Sequence, residues 1–290
     1  MNGIAMQTAR INGVDLAYEV SGTGEAVLLV GPVLADGFLP FLDEPSLADR
    51  FRLVHYHRRG WGRSTATDRP ATIGDHAADA AALLEHLEVR RAHVAGHSHG
   101  GTIALQLAID RPRLVRSLAL LEPGLLTVPS AGALLEKAGP AVQAHAAGDE
   151  ETAVAIFLSA VSGLDWETCR TIIERRVPGG VTVATADAAT LFDVELPAVG
   201  AWTLETTDAA AIAQPVLSVR GGETEPLWVE VADLLGSRLS DVETCVIEGA
   251  GHLLHIQRPE PVARALAEFF GRHPMAAEDV LCGGGATADA

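Results

Sequence analysis

The sequence predicts an α/β protein built around a mostly parallel β-sheet. Short segments rich in β-branched and apolar residues alternate with segments rich in alanine and leucine, which is typical of buried strands covered by helices. With 290 residues, 48% of them hydrophobic, the chain is long enough for one such domain with an insertion. A third observation is local: residues 96–100 (GHSHG) place a serine between a predicted strand and a predicted helix.

The first half of the chain contains five predicted strands. They cover residues 14–20, 26–30, 51–56, 91–95 and 115–121. The glycine-containing turn 21–24 joins the first two. Residues 76–87 predict an amphipathic helix because their apolar residues recur at helical spacing. Residues 101–108 predict the helix after the serine, with no breaker before Pro112.

Residues 124–209 differ in character from the segments on either side. Helical stretches at 131–147 and 150–160 follow one another without strong strand signals. We therefore expect a helical cap at 124–209, inserted into an α/β core formed by residues 1–123 and 210–273. The second half also predicts strands at residues 215–220 and 243–248, a closing helix at 262–272 and a flexible tail at 274–290.

Composition excludes several classes of partner. The net charge of −17 disfavours nucleic acid, since phosphate binding needs a basic stripe. The sequence contains no apolar run of the roughly 18 residues that span a bilayer, and its first residues lack the layout of a signal peptide. Three widely spaced cysteines suit a reducing compartment without structural zinc. We expect a cytoplasmic protein with no membrane partner, no metal ion and no cofactor.

The pentapeptide 96–100 has the form G-x-S-x-G. Between a strand and a helix this pattern predicts a nucleophile elbow, a sharp turn that lifts the serine above the sheet edge. The glycines let strand and helix approach closely around a strained serine backbone. We therefore predict that Ser98 is a nucleophile.

A serine hydroxyl needs an adjacent base, usually a histidine that a carboxylate holds in the right tautomer. His252 is the best candidate, because it stands in the glycine-rich segment 248–252 (EGAGH) directly after a predicted strand. His255 is the alternative, although its apolar neighbours suit packing against the last helix. The alternative for His252 is a loop residue with a structural hydrogen bond.

These features resemble the α/β-hydrolase superfamily over nearly the whole chain outside the tail. Ser98 fits the family's elbow, and His252 fits its G-x-G-H loop after the last strand. Residues 57–64 (HRRGWGRS) are similar to the family's D-x-R-G-x-G-x-S loop, with His57 in place of the usual aspartate. The resemblance implies the α/β-hydrolase fold, with helices on both faces of the sheet, and implies a structural role for this loop.

The position of the acid departs from the common family pattern. In most members the carboxylate follows the penultimate strand, and the matching position here is Thr224, flanked by Glu223 and Glu225. A second location known in the superfamily is the end of the strand after the elbow helix, where this chain has Glu122. A charge at the end of a buried strand needs a partner, and protonated His252 can supply it. We predict Glu122 as the acid, with Glu223, Glu225 or no acid as alternatives.

An oxyanion hole needs backbone N–H groups directed at the developing negative charge. One donor is expected from His99, directly after the nucleophile. The second should come from the loop after strand 26–30, where many family members carry His-Gly and this chain has Gly31 and Pro32. Because proline has no N–H, Val33 is the predicted donor and Gly31 the alternative.

The predicted function is hydrolysis of a small-molecule ester or lactone by Ser98, His252 and Glu122. Trp166 and Trp202, in the predicted cap, are candidate substrate-binding residues, with packing inside the cap as the alternative. The triad layout resembles that of lactonases that open the macrolactone zearalenone, which favours a lactone. The serine counts against epoxide hydrolases and haloalkane dehalogenases, whose family members use aspartate there. The alternatives are a carbon–carbon bond hydrolase with the same triad, a cofactor-free perhydrolase, and a non-catalytic ligand receptor on the same scaffold.

Overall fold

The computed structural model describes residues 6–66 and 70–276. Within these residues, eight strands form one sheet in the order β1-β2-β4-β3-β5-β6-β7-β8. β2 pairs antiparallel with β1 and β4, and every other neighbouring pair is parallel. The strands are β1 Gln7–Ile11, β2 Val14–Ser21, β3 Glu25–Val30, β4 Phe51–Tyr56, β5 Ala92–His97, β6 Val115–Leu121, β7 Val216–Gly221 and β8 Val242–Ile247.

Helices connect the strands and cover both faces of the sheet. Before β7 they are α1 Leu39–Leu42, α2 Pro45–Ala48, α3 Ile73–His86, α4 His99–Asp110, α5 Ala131–Ala146, α6 Glu150–Ser162, α7 Trp166–Arg176, α8 Gly180–Ala186, the π-helix Thr190–Glu195, α9 Leu196–Ala201 and α10 Thr206–Ala211. After β7 come α11 Pro226–Arg238, α12 Leu254–Gln257 and α13 Pro259–Arg272. Within residues 6–66 and 70–276, none of the helices is both long and apolar enough to span a membrane.

The buried strands explain the continuous apolar runs seen in the sequence. Along β3, Val27 and Leu29 pack with α1, α2 and α13, whereas Leu28 and Val30 pack with the helices of the opposite face. Successive side chains of a strand point to opposite faces, so a strand covered on both sides needs apolar residues throughout. The predicted α/β fold with a mostly parallel sheet is therefore confirmed.

Several elements were absent from the sequence prediction, among them the strand β1 and the helix α11. β1 is a five-residue edge strand whose exposed positions are polar, so it lacks the apolar run that marks the buried strands. α11 carries Pro226 in its first turn and buries only Leu227, Trp228, Val231 and Leu235. Proline is tolerated in a first turn because the N–H it lacks has no partner inside the helix.

The segment between β6 and β7 contains only helices. α5 to α10 and the π-helix follow one another there, and none of the described residues in between forms a strand. α6 contributes Phe157, Leu158 and Val161 to the space above Ser98. The division into core and cap stays a prediction. Of the predicted tail, residues 277–290 lie outside the described residues.

Candidate active site

Ser98 forms the turn between β5 and α4. Its backbone has φ 54° and ψ −121°, a conformation that L-residues rarely adopt and that tertiary packing must hold. A Cβ atom on Gly96 would overlap the carbonyl oxygen of Gly100, and one on Gly100 would overlap the carbonyl oxygen of Val30. Both positions therefore require glycine, which is the physical basis of the motif.

A line of hydrogen bonds runs from Ser98 through His252 to Glu122. His252 Nε2 lies 3.2 Å from Ser98 Oγ, and His252 Nδ1 lies 2.7 Å from Glu122 Oε2. With Nδ1–H donating to the carboxylate, Nε2 carries the lone pair that can accept the serine proton. The three side chains come from the ends of β5 and β6 and from the loop after β8.

Glu122 follows directly after β6 and is 2% exposed. Its backbone has a positive φ of 43°, so the chain turns sharply at this residue. Glu122 Oε1 accepts a hydrogen bond from the amide of Gly221 at 2.8 Å, and Oε2 accepts one from Thr224 Oγ1 at 3.1 Å. Thr224, at the usual acid position, therefore binds the carboxylate that comes from the neighbouring strand.

Burial dominates the titration of this pair. It raises the pKa of Glu122 to about 7, although the hydrogen bonds from Gly221 and Thr224 act in the opposite direction. Burial lowers the pKa of His252 to about 3, so the imidazole is neutral at pH 7. A neutral imidazole is the form that a general base needs.

Two of the alternatives, Glu225 as the acid and His255 as the base, make other contacts. Glu225 Oε2 lies 2.9 Å from Lys137 Nζ on α5. His255 is buried, with its ring centroid 4.1 Å from that of His97 and 5.5 Å from that of Phe38. Neither side chain takes part in the hydrogen bonds that connect Ser98, His252 and Glu122.

Two contacts of His252 were not anticipated from the sequence. The Trp228 indole stacks on the His252 ring with centroids 3.8 Å apart and planes 6° apart, and Trp228 Nε1 donates to the carbonyl of Val161 on α6. His97 Nε2 lies 2.8 Å from the carbonyl oxygen of His252. Trp228 stands in the unpredicted helix α11, and no short motif marks it. Together these contacts fix both the ring and the backbone of His252.

Ser98 and His252 border a small cavity. Most of its walls are apolar. The lining residues are Pro32, Val33, Leu34, His97, Ser98, Phe157, Leu158, Val161, His252, Leu253 and His255.

The two predicted substrate-binding tryptophans lie away from this cavity. Trp166, at the start of α7, borders surface depressions together with Lys137 or Arg170. Trp202 donates its Nε1–H to Gln106 on α4 at 2.7 Å. Neither indole is among the described side chains that line the cavity, so their positions do not support a substrate-binding role. Each packs against the hydrophobic core instead.

The two predicted oxyanion donors are near Ser98: His99 follows it in the chain, and Val33 lines the same cavity. His99 opens α4, where backbone amides have no acceptor within the helix. Among the residues that the structure describes, no backbone carbonyl accepts a hydrogen bond from either amide. Neither N–H group is therefore used in a backbone hydrogen bond among the described residues.

Two groups of side chains carry potential metal ligands. They are Asp36, His55 and His57, and His76, His99 and Glu195, each with ligand atoms within 4.8 Å of one another. In the first, His57 Nδ1 accepts from the amide of Arg63 and Nε2 donates to Asp36. In the second, the Glu195 carboxylate is bound by the guanidinium of Arg58. Protein hydrogen bonds already occupy ligand atoms in both groups.

The family model for the alpha/beta hydrolase fold matches residues 38–259. The chain belongs to this family. The matched segment includes Ser98, Glu122 and His252.

Curated relatives match only part of the chain. A protein from Azorhizobium caulinodans named "Putative carbamate hydrolase RutD" is 38% identical over 118 residues, which cover 40% of this chain and 44% of that protein. A dihydrolipoyllysine-residue acetyltransferase component of an acetoin cleaving system from Cupriavidus necator is 37% identical over 123 residues, which cover 41% of this chain and 32% of that protein. The matched segments thus span less than half the length of these relatives.

Solved structures match over nearly the whole chain. A thermophilic esterase from Thermogutta terrifontis superposes with a TM-score of 0.77 and 20% identity, covering 94% of this chain and 100% of the other. The enol-lactonase from Burkholderia xenovorans LB400 gives 0.75 and 20% identity, covering 91% and 99%. At this identity the likeness shows the fold.

Proposed function

We propose that the protein is a serine hydrolase that cleaves a small-molecule carboxylic ester or lactone through an acyl-enzyme intermediate. The observation that carries the proposal is the hydrogen-bond line from Ser98 Oγ through His252 to Glu122, at 3.2 and 2.7 Å. A nucleophile, a base and an orienting carboxylate in this order form the arrangement that activates a serine.

In the acylation step, Ser98 Oγ attacks the carbonyl carbon while His252 Nε2 takes the hydroxyl proton. The carbonyl electron pair moves onto oxygen, and the amides of His99 and Val33 stabilise that negative charge. Glu122 stabilises the imidazolium that forms. When the electron pair returns, the bond to the leaving oxygen breaks, and the alkoxide takes the proton from His252.

In the deacylation step, water takes the place of Ser98 as the nucleophile, and His252 again acts first as a base and then as an acid. Water attacks the acyl carbon and gives a proton to His252, which later returns it to Ser98 Oγ as the bond between serine and the acyl group breaks. The carboxylic acid then leaves. In a lactone, the acid and the alcohol belong to one molecule, so ring opening gives a single product.

The lining of the cavity favours an uncharged, compact acyl group. The walls near Ser98 come mainly from apolar side chains, including Phe157, Leu158 and Leu253. An ionised substrate group placed there would lose its hydration without a charged partner. We therefore expect short esters and lactones to react better than long-chain or charged ones.

Substitution of the nucleophile tests the proposal. Ser98→Ala should abolish turnover of p-nitrophenyl acetate, because it removes the hydroxyl that forms the acyl-enzyme. A fluorophosphonate probe should label the wild-type protein at Ser98, as located by peptide mass spectrometry. Ser237→Ala, on the exposed face of α11, serves as the control and should retain wild-type activity. A folded wild-type protein that is not labelled would favour the ligand-receptor alternative.

A panel of substrates tests which type of bond the protein cleaves. The panel should contain esters, lactones, a carbamate, because of the relative with that name, and a β-diketone for carbon–carbon cleavage. Products are identified by mass spectrometry. The highest kcat/KM is expected among esters or lactones, and a clear preference for the β-diketone would overturn that assignment.

A further inference from the structure

A buried ion pair joins Glu195, in the helical segment between β6 and β7, to Arg58, in the loop after β4. Arg58 Nη2 lies 2.8 Å from both carboxylate oxygens of Glu195, and Arg58 Nε lies 3.0 Å from Oε1. Trp61 Nε1 donates to the same Oε1 at 2.8 Å. Arg58 is 3% exposed and Glu195 is fully buried. Planar, bidentate pairing of this kind fixes the orientation of the guanidinium group.

The remaining guanidinium nitrogen holds the loop that follows β3. Arg58 Nη1 donates to the carbonyl oxygen of Pro32 at 2.7 Å and also to that of Gly31. In a trans peptide, the C=O of one residue and the N–H of the next point in opposite directions. Because the Pro32 carbonyl points at Arg58, the amide of Val33 points away from it. Val33 and Ser98 line the same cavity.

Glu195 reaches this position from the π-helix Thr190–Glu195. A π-helical turn is uncommon and often occurs at functional sites. Two further buried groups face the carboxylate: His99 Nε2 lies 3.7 Å and His76 Nε2 lies 3.9 Å from Glu195 Oε1. Burial lowers the pKa of both histidines, so at neutral pH Arg58 is the charged partner of Glu195. The cluster thus lies close to both predicted oxyanion donors, His99 and Val33.

Stability alone does not explain this arrangement. A buried ion pair is often no more stabilising than apolar residues of similar volume. The adjacent Arg59 forms such a pair with Asp79, at 2.6 and 2.7 Å, and none of its described hydrogen bonds goes to the loop after β3. Of these two pairs, only the Arg58 pair has a nitrogen with a described hydrogen bond to the loop after β3, at the carbonyls of Gly31 and Pro32.

We propose that Arg58 and Glu195 are positioning residues for the oxyanion hole. Glu195 orients the guanidinium of Arg58, and Arg58 holds the carbonyls of Gly31 and Pro32 so that the Val33 amide is presented to the reacting carbonyl oxygen. This inference rests on the proposed function. It also means that packing of the π-helix against the core completes the catalytic site.

The test compares the two neighbouring ion pairs. Glu195→Gln keeps the shape of the side chain but removes the charge that orients Arg58. We expect kcat for p-nitrophenyl acetate to fall by about 10- to 100-fold with KM changed less than about 3-fold, because only the transition state carries the oxyanion. A trifluoromethyl ketone, whose adduct with Ser98 carries the same oxyanion, should bind more weakly by a similar factor.

Asp79→Asn is the matched control, since it removes the charge from an equally buried pair that does not touch the loop. It should lower the Tm but leave kcat within about 2-fold at temperatures well below the transition. If Glu195→Gln does not fold, Trp61→Phe removes the N–H donor to Glu195 together with part of a buried ring, and it should lower kcat in the same sense by about 3-fold.

The outcomes separate this inference from the proposed function. Wild-type protein labelled at Ser98 and active on the ester, together with unchanged kcat in Glu195→Gln, overturns the positioning role alone. An equal loss of kcat in Asp79→Asn also overturns it, because the effect would then be general destabilisation. Wild-type protein that is neither labelled nor active overturns both.

Discussion

The ends of the neighbouring strands β6 and β7 differ in what they present to His252. β6 ends in a carboxylate, Glu122, whereas the chain after β7 presents two hydrogen-bond donors, the Gly221 amide and the Thr224 hydroxyl. The two strands are parallel and paired, and paired strands lie about 4.8 Å apart. The carboxylate from the end of β6 and the two donors from the chain after β7 therefore meet beside His252.

Removal of the carboxylate at the end of β6 is expected to lower kcat more than any change in the chain after β7. Glu122→Gln should lower kcat by about 10³- to 10⁴-fold, because it removes the charge that stabilises the imidazolium and favours the wrong tautomer. Steady-state kinetics on p-nitrophenyl acetate provide the measurement. Glu223→Gln and Glu225→Gln, in the loop after β7, should stay within about 2-fold of wild type. The reverse order would place the acid after β7.

The same substitution should change how stability depends on pH. The pKa of Glu122 is raised from its ordinary 4.5 to about 7, so the wild type loses stability as pH rises from about 4.5 through 7. The loss is up to about 3 kcal/mol. Glu122→Gln removes this contribution while leaving His252 buried. The measurement is the free energy of unfolding in urea at pH 5 and at pH 8. The free energy of unfolding of the variant minus that of the wild type should be more positive at pH 8 than at pH 5. The same value of this difference at both pH values would contradict the raised pKa.

The smallest loss of activity is expected from the substitution of Thr224, in the chain after β7. Thr224→Val removes one hydrogen bond to the Glu122 carboxylate and should lower kcat/KM by about 10-fold, since a hydrogen bond to a charged group contributes about 1.5 kcal/mol or more. Thr224→Ser keeps the hydroxyl and should stay close to wild type. Equal activity of the valine and serine variants would show that the Gly221 amide is sufficient.

Much of the fold was predictable because its signals are local. β6 occupies the predicted residues 115–121, and α5 and α6 begin at the predicted residues 131 and 150. Buried strands and amphipathic helices each leave a periodic apolar pattern. β1 was missed because the exposed polar positions of an edge strand weaken that pattern. α11 was missed although its buried residues Leu227, Val231 and Leu235 recur at helical spacing.

Parts of the site were less accessible to prediction because they depend on distant contacts. The stacking of Trp228 on His252 and the pairing of Arg58 with Glu195 join residues from separate parts of the chain. The segment 57–64 was interpreted as structural, and Arg58 does bind backbone carbonyls. Nothing in the sequence indicated that those carbonyls belong to Gly31 and Pro32, in the loop after β3. Trp166 and Trp202 were chosen for residue type, and the structure places both away from the cavity.

The elbow at Ser98 was determined by the sequence itself, because its strained backbone and close approaches require glycines at two fixed positions. The sequence narrowed the candidates for the acid to a few glutamates, and the folded chain, in which β6 pairs with β7, has Glu122 2.7 Å from His252. The orientation of the Val33 amide is also set by tertiary contacts, because it depends on the guanidinium of Arg58, which is held by the carboxylate of Glu195, 137 residues away in the chain. Local steric requirements leave a motif in the sequence, whereas contacts between distant segments arise only when the chain folds.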